Sequence, residues 1–170
     1  MAVRLTAIST LLCMGLISST THAQQFEWGD LPVLPGGLGF GGPFAGTHNG
    51  ALIVAGGANF PNGMPWDGGT KVWYDDIHVL ESGDVAWNSE SSLPHPMAYG
   101  ISISTPQGLI VAGGNDTDAV YADVWLLKWD ADAKKVVVDT LPSLPKASVF
   151  HAGALLRQTV YVAAGRKSNN

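Results

Sequence analysis

The sequence predicts an all-β protein built from repeated sheets. Two apolar runs that each end in a pair of glycines, residues 51–57 and 109–114, recur about 50 residues apart, a spacing typical of repeat proteins. A third copy, residues 159–165, follows at a similar distance with alanine in place of the first glycine. A strand that ends on glycines at this period is typical of a β-propeller blade, which is a four-stranded antiparallel sheet.

Each repeat predicts its strands in the same order. A strand of small residues precedes each glycine pair, and we interpret it as the innermost strand, where blades converge and leave little room for side chains: residues 44–48, 99–104 and 150–155. Alternating segments after the glycines predict the outer strands: residues 76–80 with 85–87, and residues 123–127 with 136–138. The predicted fold is therefore an incomplete kelch-type β-propeller of roughly three repeats, the third cut short after two strands.

The first 23 residues predict a signal peptide. Arg4 gives a basic start, residues 5–17 form an apolar stretch too short to span a bilayer, and residues 21–23 resemble a cleavage site. We expect residues 24–170 to form the partial propeller in the periplasm or outside the cell. Because closed rings have about four to eight blades, missing blades or a second chain would be needed to close this one.

Composition argues against several classes of function. The one cysteine, Cys13, lies in the signal segment, so neither disulfides nor copper chemistry at a cysteine thioether is expected in the mature chain. A net charge of −5 without a basic stripe argues against nucleic-acid binding, and nothing after the signal predicts a membrane span. Residues 116–118 lack the glycine and distal glutamate of a calcium loop. We expect no metal and no cofactor.

The candidate ligand-binding residues lie on one face of the predicted blades, where the loop after each second strand meets the segment that leads into the next blade. The loop of residues 58–71 is the longest there, and loops above about 12 residues without secondary structure of their own are commonly functional. Asn59 and Phe60 are its strongest candidates for substrate contact. Trp66 either stacks on a sugar or covers its own turn, and Arg166 either binds a carboxylate or is solvated.

Two histidines lie on predicted inner strands. His48 and His151 are favoured as hydrogen-bonded core side chains over groups that transfer protons.

Four segments carry a family resemblance: residues 42–46, 52–60, 71–77 and 98–102. They are similar to the cyclically permuted mutarotase family, kelch propellers related to the N-acetylneuraminate epimerases, which interconvert sialic acid anomers. The permutation is implied because the Phe-Ala-Gly and Ala-Tyr-Gly segments belong to the last blades of the unpermuted epimerases and come first here.

The resemblance implies a defined reaction. A base removes the proton of the anomeric hydroxyl and an acid protonates the ring oxygen, so that the sugar ring opens and recloses on the other face. The family's glutamate lies in a glycine-glutamate segment that would fall after Asn170 in this order, so the catalytic residue is unknown in this chain. Two functions are therefore open: a mutarotase of sialic acid or a related sugar, incomplete here, or a non-catalytic kelch propeller that binds carbohydrate or protein.

Overall fold

Two four-stranded antiparallel sheets follow one another along the chain. A computed structural model describes residues 27–167, with strands numbered here in chain order. The first sheet contains, in spatial order, β1 (Phe44–His48), β2 (Ala51–Ala55), β5 (Asp76–Glu81) and β6 (Asn88–Ser92). The second contains β7 (Ile101–Thr105), β8 (Gly108–Asn115), β9 (Val120–Asp130) and β10 (Lys135–Leu141). A third sheet pairs β11 (Val149–Leu156) with β12 (Thr159–Arg166).

This arrangement confirms the all-β class and the division into two full repeats followed by a two-stranded one. Residues 31–167 belong to one compact unit. Residues 27–30 are assigned to a separate unit and have no regular secondary structure. The predicted signal peptide, residues 1–23, lies outside the described residues. Within those residues, no helix is both long enough and apolar enough to cross a membrane.

Two details of the strand prediction were wrong. Residues 85–87 form no strand, because the chain turns at Gly83 (φ 91°) and Val85 is exposed; β6 begins only at Asn88. Its sequence, Asn-Ser-Glu-Ser-Ser, has no apolar alternation, since the outermost strand of a blade buries little. The loop of residues 58–71 has secondary structure of its own: β3 (Ala58–Asn59) pairs with β4 (Val72–Trp73), and a 3-10 turn covers Pro65–Asp67.

Small residues on the inner strands allow neighbouring sheets to approach. A side chain at Gly46 of β1 would collide with Leu109 and lie 2.6 Å from Oγ of Ser104, and one at Gly153 of β11 would collide with Ile101. Ser102 of β7 joins β1 directly, because its Oγ donates to the carbonyl of Ala45 at 2.8 Å and accepts that residue's N–H at 3.1 Å. The three inner strands therefore lie side by side, as the small residues predicted.

The glycine pairs connect each sheet to the segment that leads into the next. Gly57 N–H donates to the carbonyl of Met97 at 2.9 Å, and Gly114 N–H makes the same bond to Ser148 at 2.8 Å. The glycines before them, Gly56 and Gly113, both have φ 60°, a left-handed conformation that glycine adopts without a Cβ penalty. The repeated glycines are thus required by backbone geometry, which explains the periodicity of the sequence.

Ala164 occupies the same position in the third repeat. Its φ is 63°, so the backbone keeps the left-handed conformation although alanine replaces glycine there.

The hydrophobic core lies between the first two sheets. It is formed by side chains that are at most 3% exposed, among them Phe44, Ile53, Ile77, Leu109, Val111, Trp125, Leu127 and Trp129. Large aromatic side chains favour the space between sheets, which predicts packing there for Trp28, Trp87, Trp125 and Trp129. Trp125 and Trp129 lie in this core, whereas the prediction is wrong for Trp28, which is 97% exposed. Because the same core includes residues of both sheets, the two blades pack as one body.

Candidate functional site

Backbone hydrogen bonds bring the predicted loops together on one face. Gly41 pairs with Ala58, and Ala98 pairs with Asn115, each as an isolated antiparallel bridge. Tyr99 N–H then donates to the carbonyl of Gly42 at 2.8 Å, and Phe150 N–H donates to the carbonyl of Tyr99 at 2.9 Å. We call this surface the loop face, and define it by residues 39–43, 58–71, 97–100, 115 and 148–150.

Three residues on the loop face share an unusual backbone conformation. Gly42, Tyr99 and Phe150 occupy equivalent positions at or just before the start of the inner strands, and their φ angles are 60°, 64° and 54°. For residues other than glycine, this left-handed conformation costs roughly 1 to 2 kcal/mol. Such strain persists where the surrounding structure enforces it, which is common at ligand-binding sites. Tyr99 and Phe150 are therefore held in place by the interblade hydrogen bonds.

The two strained aromatic residues belong to a row of three rings and two cations. The ammonium of Lys71 lies 4.7 Å from the centre of the Trp73 ring and 4.3 Å from that of Tyr99. The ring centres of Tyr99 and Phe150 are 4.9 Å apart, and the guanidinium of Arg166 lies 4.9 Å from the Phe150 ring. We call Trp73, Lys71, Tyr99, Phe150 and Arg166 the cation–aromatic row.

A cavity of about 350 Å³ opens beside this row. It is lined by residues from the segment before β1, the β3–β4 hairpin and the start of the second blade: Leu38, Gly39, Gly41, Ala58, Asn59, Phe60, Met64, Lys71 and Tyr99. Mostly apolar walls with a few polar groups are typical of small-molecule sites. The volume lies at the lower end of the range for such pockets, about 300 to 1,000 Å³.

Asn59 is fixed in the cavity wall by two hydrogen bonds. The hydroxyl of Tyr74 donates to its Oδ1 at 2.9 Å, and its Nδ2 donates to the carbonyl of Gly39 at 3.3 Å. An amide has two donor hydrogens and two acceptor lone pairs, so one of each remains for a ligand. Asn59 also lines a second cavity of about 340 Å³, together with Tyr74, Asp76 and His78.

The four residues predicted to contact substrate are placed differently. Asn59 and Phe60 meet in the first cavity, and Arg166 lies at the end of the cation–aromatic row, against Phe150. Trp66 lies in the 3-10 turn, is 80% exposed and lines neither of these two cavities. The structure therefore brings two of the four together and places a third on the neighbouring surface.

Sequence reasoning missed Lys71 and Tyr99. Lys71 stands at the end of the long loop without a motif of its own, and Tyr99, the second ring beside its ammonium, is far from it in the sequence. One signal was available for Tyr99: it stands where the first repeat has Gly42, and an aromatic residue at a glycine position is unusual.

Three histidines, of which His78 and His151 are buried and His48 is partly buried, act mainly as structural groups. His48 accepts the backbone N–H of Trp129 at its Nδ1, 2.9 Å away, as expected for a core histidine. His151 is 9% exposed; its Nε2 donates to the carbonyl of Ala112 at 3.1 Å, while its Nδ1 is buried with no partner among residues 27–167. His78 pairs with Oγ of Ser89 at 2.7 Å.

Burial lowers the pKa of both His151 and His78 below the ordinary value of 6.5, which predicts a pH dependence of stability. The unfolded chain takes up these protons as the pH falls below 6.5, whereas the folded chain resists them, so protonation favours unfolding. The contribution of these two histidines to the free energy of unfolding should therefore be fully present above about pH 6.5 and decrease towards about pH 5.5. Urea unfolding midpoints across this range test the prediction.

The variant His151→Gln, which retains a donor for Ala112, should weaken the pH dependence, and adding His78→Gln should remove most of the remainder. A double variant whose midpoint still falls as steeply as that of the wild type would assign the effect to other groups.

Within residues 27–167, no three His, Cys, Asp or Glu side chains come together in a way that could hold a metal ion. No carboxylate lines the 350 Å³ cavity either. The cavity therefore presents an amide, a phenol and an ammonium to a ligand.

Comparison with known proteins places this fold and site in a family. A family model described as N-acetylneuraminate epimerase matches residues 12–138, a range that includes the first blade, the second blade up to the middle of β10, and every residue of the 350 Å³ cavity. The chain belongs to the N-acetylneuraminate epimerase family. Phe150 and Arg166 lie beyond the range that the family model matches.

Individual relatives agree with this membership. The N-acetylneuraminate epimerase of Brucella melitensis is 38% identical over 128 residues, covering 68% of this chain and 32% of the relative. That of Vibrio cholerae is 31% identical over 156 residues, covering 79% of this chain and 40% of the relative. The chain thus spans between about a third and two fifths of the length of these epimerases.

A solved structure confirms the fold. The structure of YjhT superposes with a TM-score of 0.59 at 29% identity, covering 69% of this chain and 36% of YjhT. YjhT is a kelch-type propeller, so the prediction of an incomplete kelch-type propeller is confirmed. The cyclic permutation stays a prediction.

Proposed function

We propose that this chain forms part of a sugar mutarotase that interconverts the anomers of N-acetylneuraminate. The observation that carries the proposal is the family match over residues 12–138, which includes every residue lining the 350 Å³ cavity. The relatives that cover similar parts of the chain are named N-acetylneuraminate epimerases. The predicted signal peptide supports a periplasmic or secreted location for the same activity.

The described residues supply binding groups for such a sugar. Phe60 offers an apolar surface for a sugar ring, Asn59 retains a free donor and acceptor for hydroxyl or acetamido groups, and Lys71 offers a positive charge. Anomer exchange also needs a base at the anomeric hydroxyl and an acid at the ring oxygen. Since no carboxylate lines the 350 Å³ cavity, we assign this part of the chain to holding the sugar and leave the base unassigned.

The absence of a carboxylate from this cavity also supports a second candidate function, a non-catalytic propeller that binds an acidic sugar. Both functions predict that the chain binds N-acetylneuraminate, whereas only the first predicts acceleration of anomer exchange.

A proton NMR time course separates the two functions. Freshly dissolved N-acetylneuraminate is followed to anomeric equilibrium with the purified chain and, as controls, with buffer alone and with heat-denatured chain. Faster equilibration with the folded chain would support the mutarotase and show that a working base lies within it. Binding without acceleration would support the non-catalytic function. A folded chain that neither binds nor accelerates would contradict both.

A further inference from the structure

Lys71 is held in an unusual environment for a lysine. Its side chain is half-buried, and its ammonium lies between the rings of Trp73 and Tyr99, at 4.7 and 4.3 Å from their centres. Aromatic faces attract a cation through their quadrupole, but they carry no net charge. The two rings therefore fix the position of the ammonium and leave its positive charge uncompensated.

Lys71 lacks the carboxylate partner that two other lysines of the chain have. Lys128 forms an ion pair with Asp139 at 2.6 Å, and Lys134 forms one with Glu81. Within residues 27–167, no Asp or Glu oxygen comes within 4 Å of Lys71. An ordered, half-buried cation without a counter-ion is a favourable place for an anion to bind.

The cation also lines the cavity that contains the predicted sugar contacts. Lys71 shares that wall with Asn59 and Phe60, and Tyr99 contacts both the ammonium and the cavity. The strained backbone of Tyr99 (φ 64°) is kept by hydrogen bonds from two neighbouring segments, so the ring beneath the ammonium is rigidly placed. An anion bound at Lys71 would therefore lie beside groups suited to the rest of a sugar.

We propose that Lys71 binds the carboxylate of an acidic sugar in this cavity and so selects acidic over neutral sugars. The inference rests on the proposed function, and it assigns the carboxylate to Lys71 in preference to Arg166. Arg166 stacks on Phe150 and does not line the cavity, whereas the ammonium of Lys71 does. Trp73 acts as a positioning residue, because it contacts the ammonium and does not line the cavity, whereas Tyr99 lies against both.

The test compares N-acetylneuraminate with its methyl ester, which keeps the sugar and removes the negative charge. Dissociation constants of both are measured by NMR titration for the full chain, for Lys71→Met, and for Lys71→Arg. Lys135→Met is the matched control, because Lys135 is an exposed lysine at the start of β10, away from the cavity lining. Thermal unfolding of each variant confirms that it is folded.

We expect the wild type to bind the acid about tenfold more tightly than the ester, as for a charge-assisted contact. Lys71→Met should lose this preference while still binding the ester, Lys71→Arg should retain part of it, and Lys135→Met should keep all of it. A preference that persists in Lys71→Met would overturn the role of Lys71 and leave the proposed function standing. If the folded wild type bound neither ligand, the proposed function would itself fail, and the inference with it.

Discussion

Replacing Gly113 with alanine should destabilise the chain by about 3 kcal/mol, since the substitution combines backbone strain with overpacking. The backbone at Gly113 has φ 60°. An added Cβ would lie 2.6 Å from Cε1 of His151 and 2.6 Å from the carbonyl oxygen of Ser148. The second contact is with backbone, and that same carbonyl accepts the N–H of Gly114 at 2.8 Å, so it cannot move away without breaking the link to the third repeat. Urea unfolding followed by tryptophan fluorescence measures the loss.

Gly50→Ala is the control that separates strain from collision. Gly50 also has a left-handed backbone (φ 76°), but an added Cβ there would meet nothing within 4 Å. This variant should lose only about 1 kcal/mol, the cost of the backbone conformation alone. Equal losses in the two variants would show that the contacts of Gly113 with His151 and Ser148 contribute nothing.

The same glycines explain why the fold was predictable from the sequence. A left-handed backbone pressed against a carbonyl admits glycine and little else, so glycine stands directly after β2 (Gly56) and near the end of β8 (Gly113). The inner strands were predictable for a related reason, because Gly46 and Gly153 face side chains of the adjoining sheet. These glycines recur along the sequence because the same close approach of backbone recurs in each repeat.

The outermost strand of the first blade was not predictable from hydrophobic pattern. Val85 and Trp87 have high strand propensity, yet Val85 is 88% exposed and the indole N–H of Trp87 donates to the carbonyl of Pro32 at 2.8 Å. Trp87 is therefore used to hold the segment before β1, and the polar β6 that follows is held mainly by its backbone pairing with β5. Strand propensity reflects the kind of surface that a side chain fits. Trp87 fits the segment before β1, which lies outside the four-stranded sheet.

The candidate site was only half predictable. Loop length and position pointed to Asn59 and Phe60, and both line the cavity. The cation–aromatic row required contacts between Lys71 and Tyr99 and between Phe150 and Arg166, which join different repeats or different strands. Such pairs follow from how the blades pack, and a single sequence carries no signal for them.

Replacing Trp129 with alanine should cost about 4 kcal/mol, as for the loss of a large buried aromatic side chain. Trp129 is 3% exposed and belongs to the core between the first two sheets. It also connects them by hydrogen bonds: its backbone N–H donates to Nδ1 of His48 at 2.9 Å, and its indole N–H donates to Glu81 at 3.1 Å. The substitution should leave a cavity at the contact between the blades, and the urea midpoint should fall accordingly.

Trp129→Phe tests whether packing or hydrogen bonding dominates at this contact, and Trp66→Ala is the control. Trp129→Phe keeps most of the buried ring and loses the indole N–H, so a much smaller loss than for alanine would show that burial is the main term. Trp66→Ala removes a tryptophan that is 80% exposed and should change stability by less than about 0.5 kcal/mol. If Trp129→Phe lost as much as Trp129→Ala, the bond to Glu81 would account for most of the contribution of Trp129, and burial of its ring would contribute less than expected.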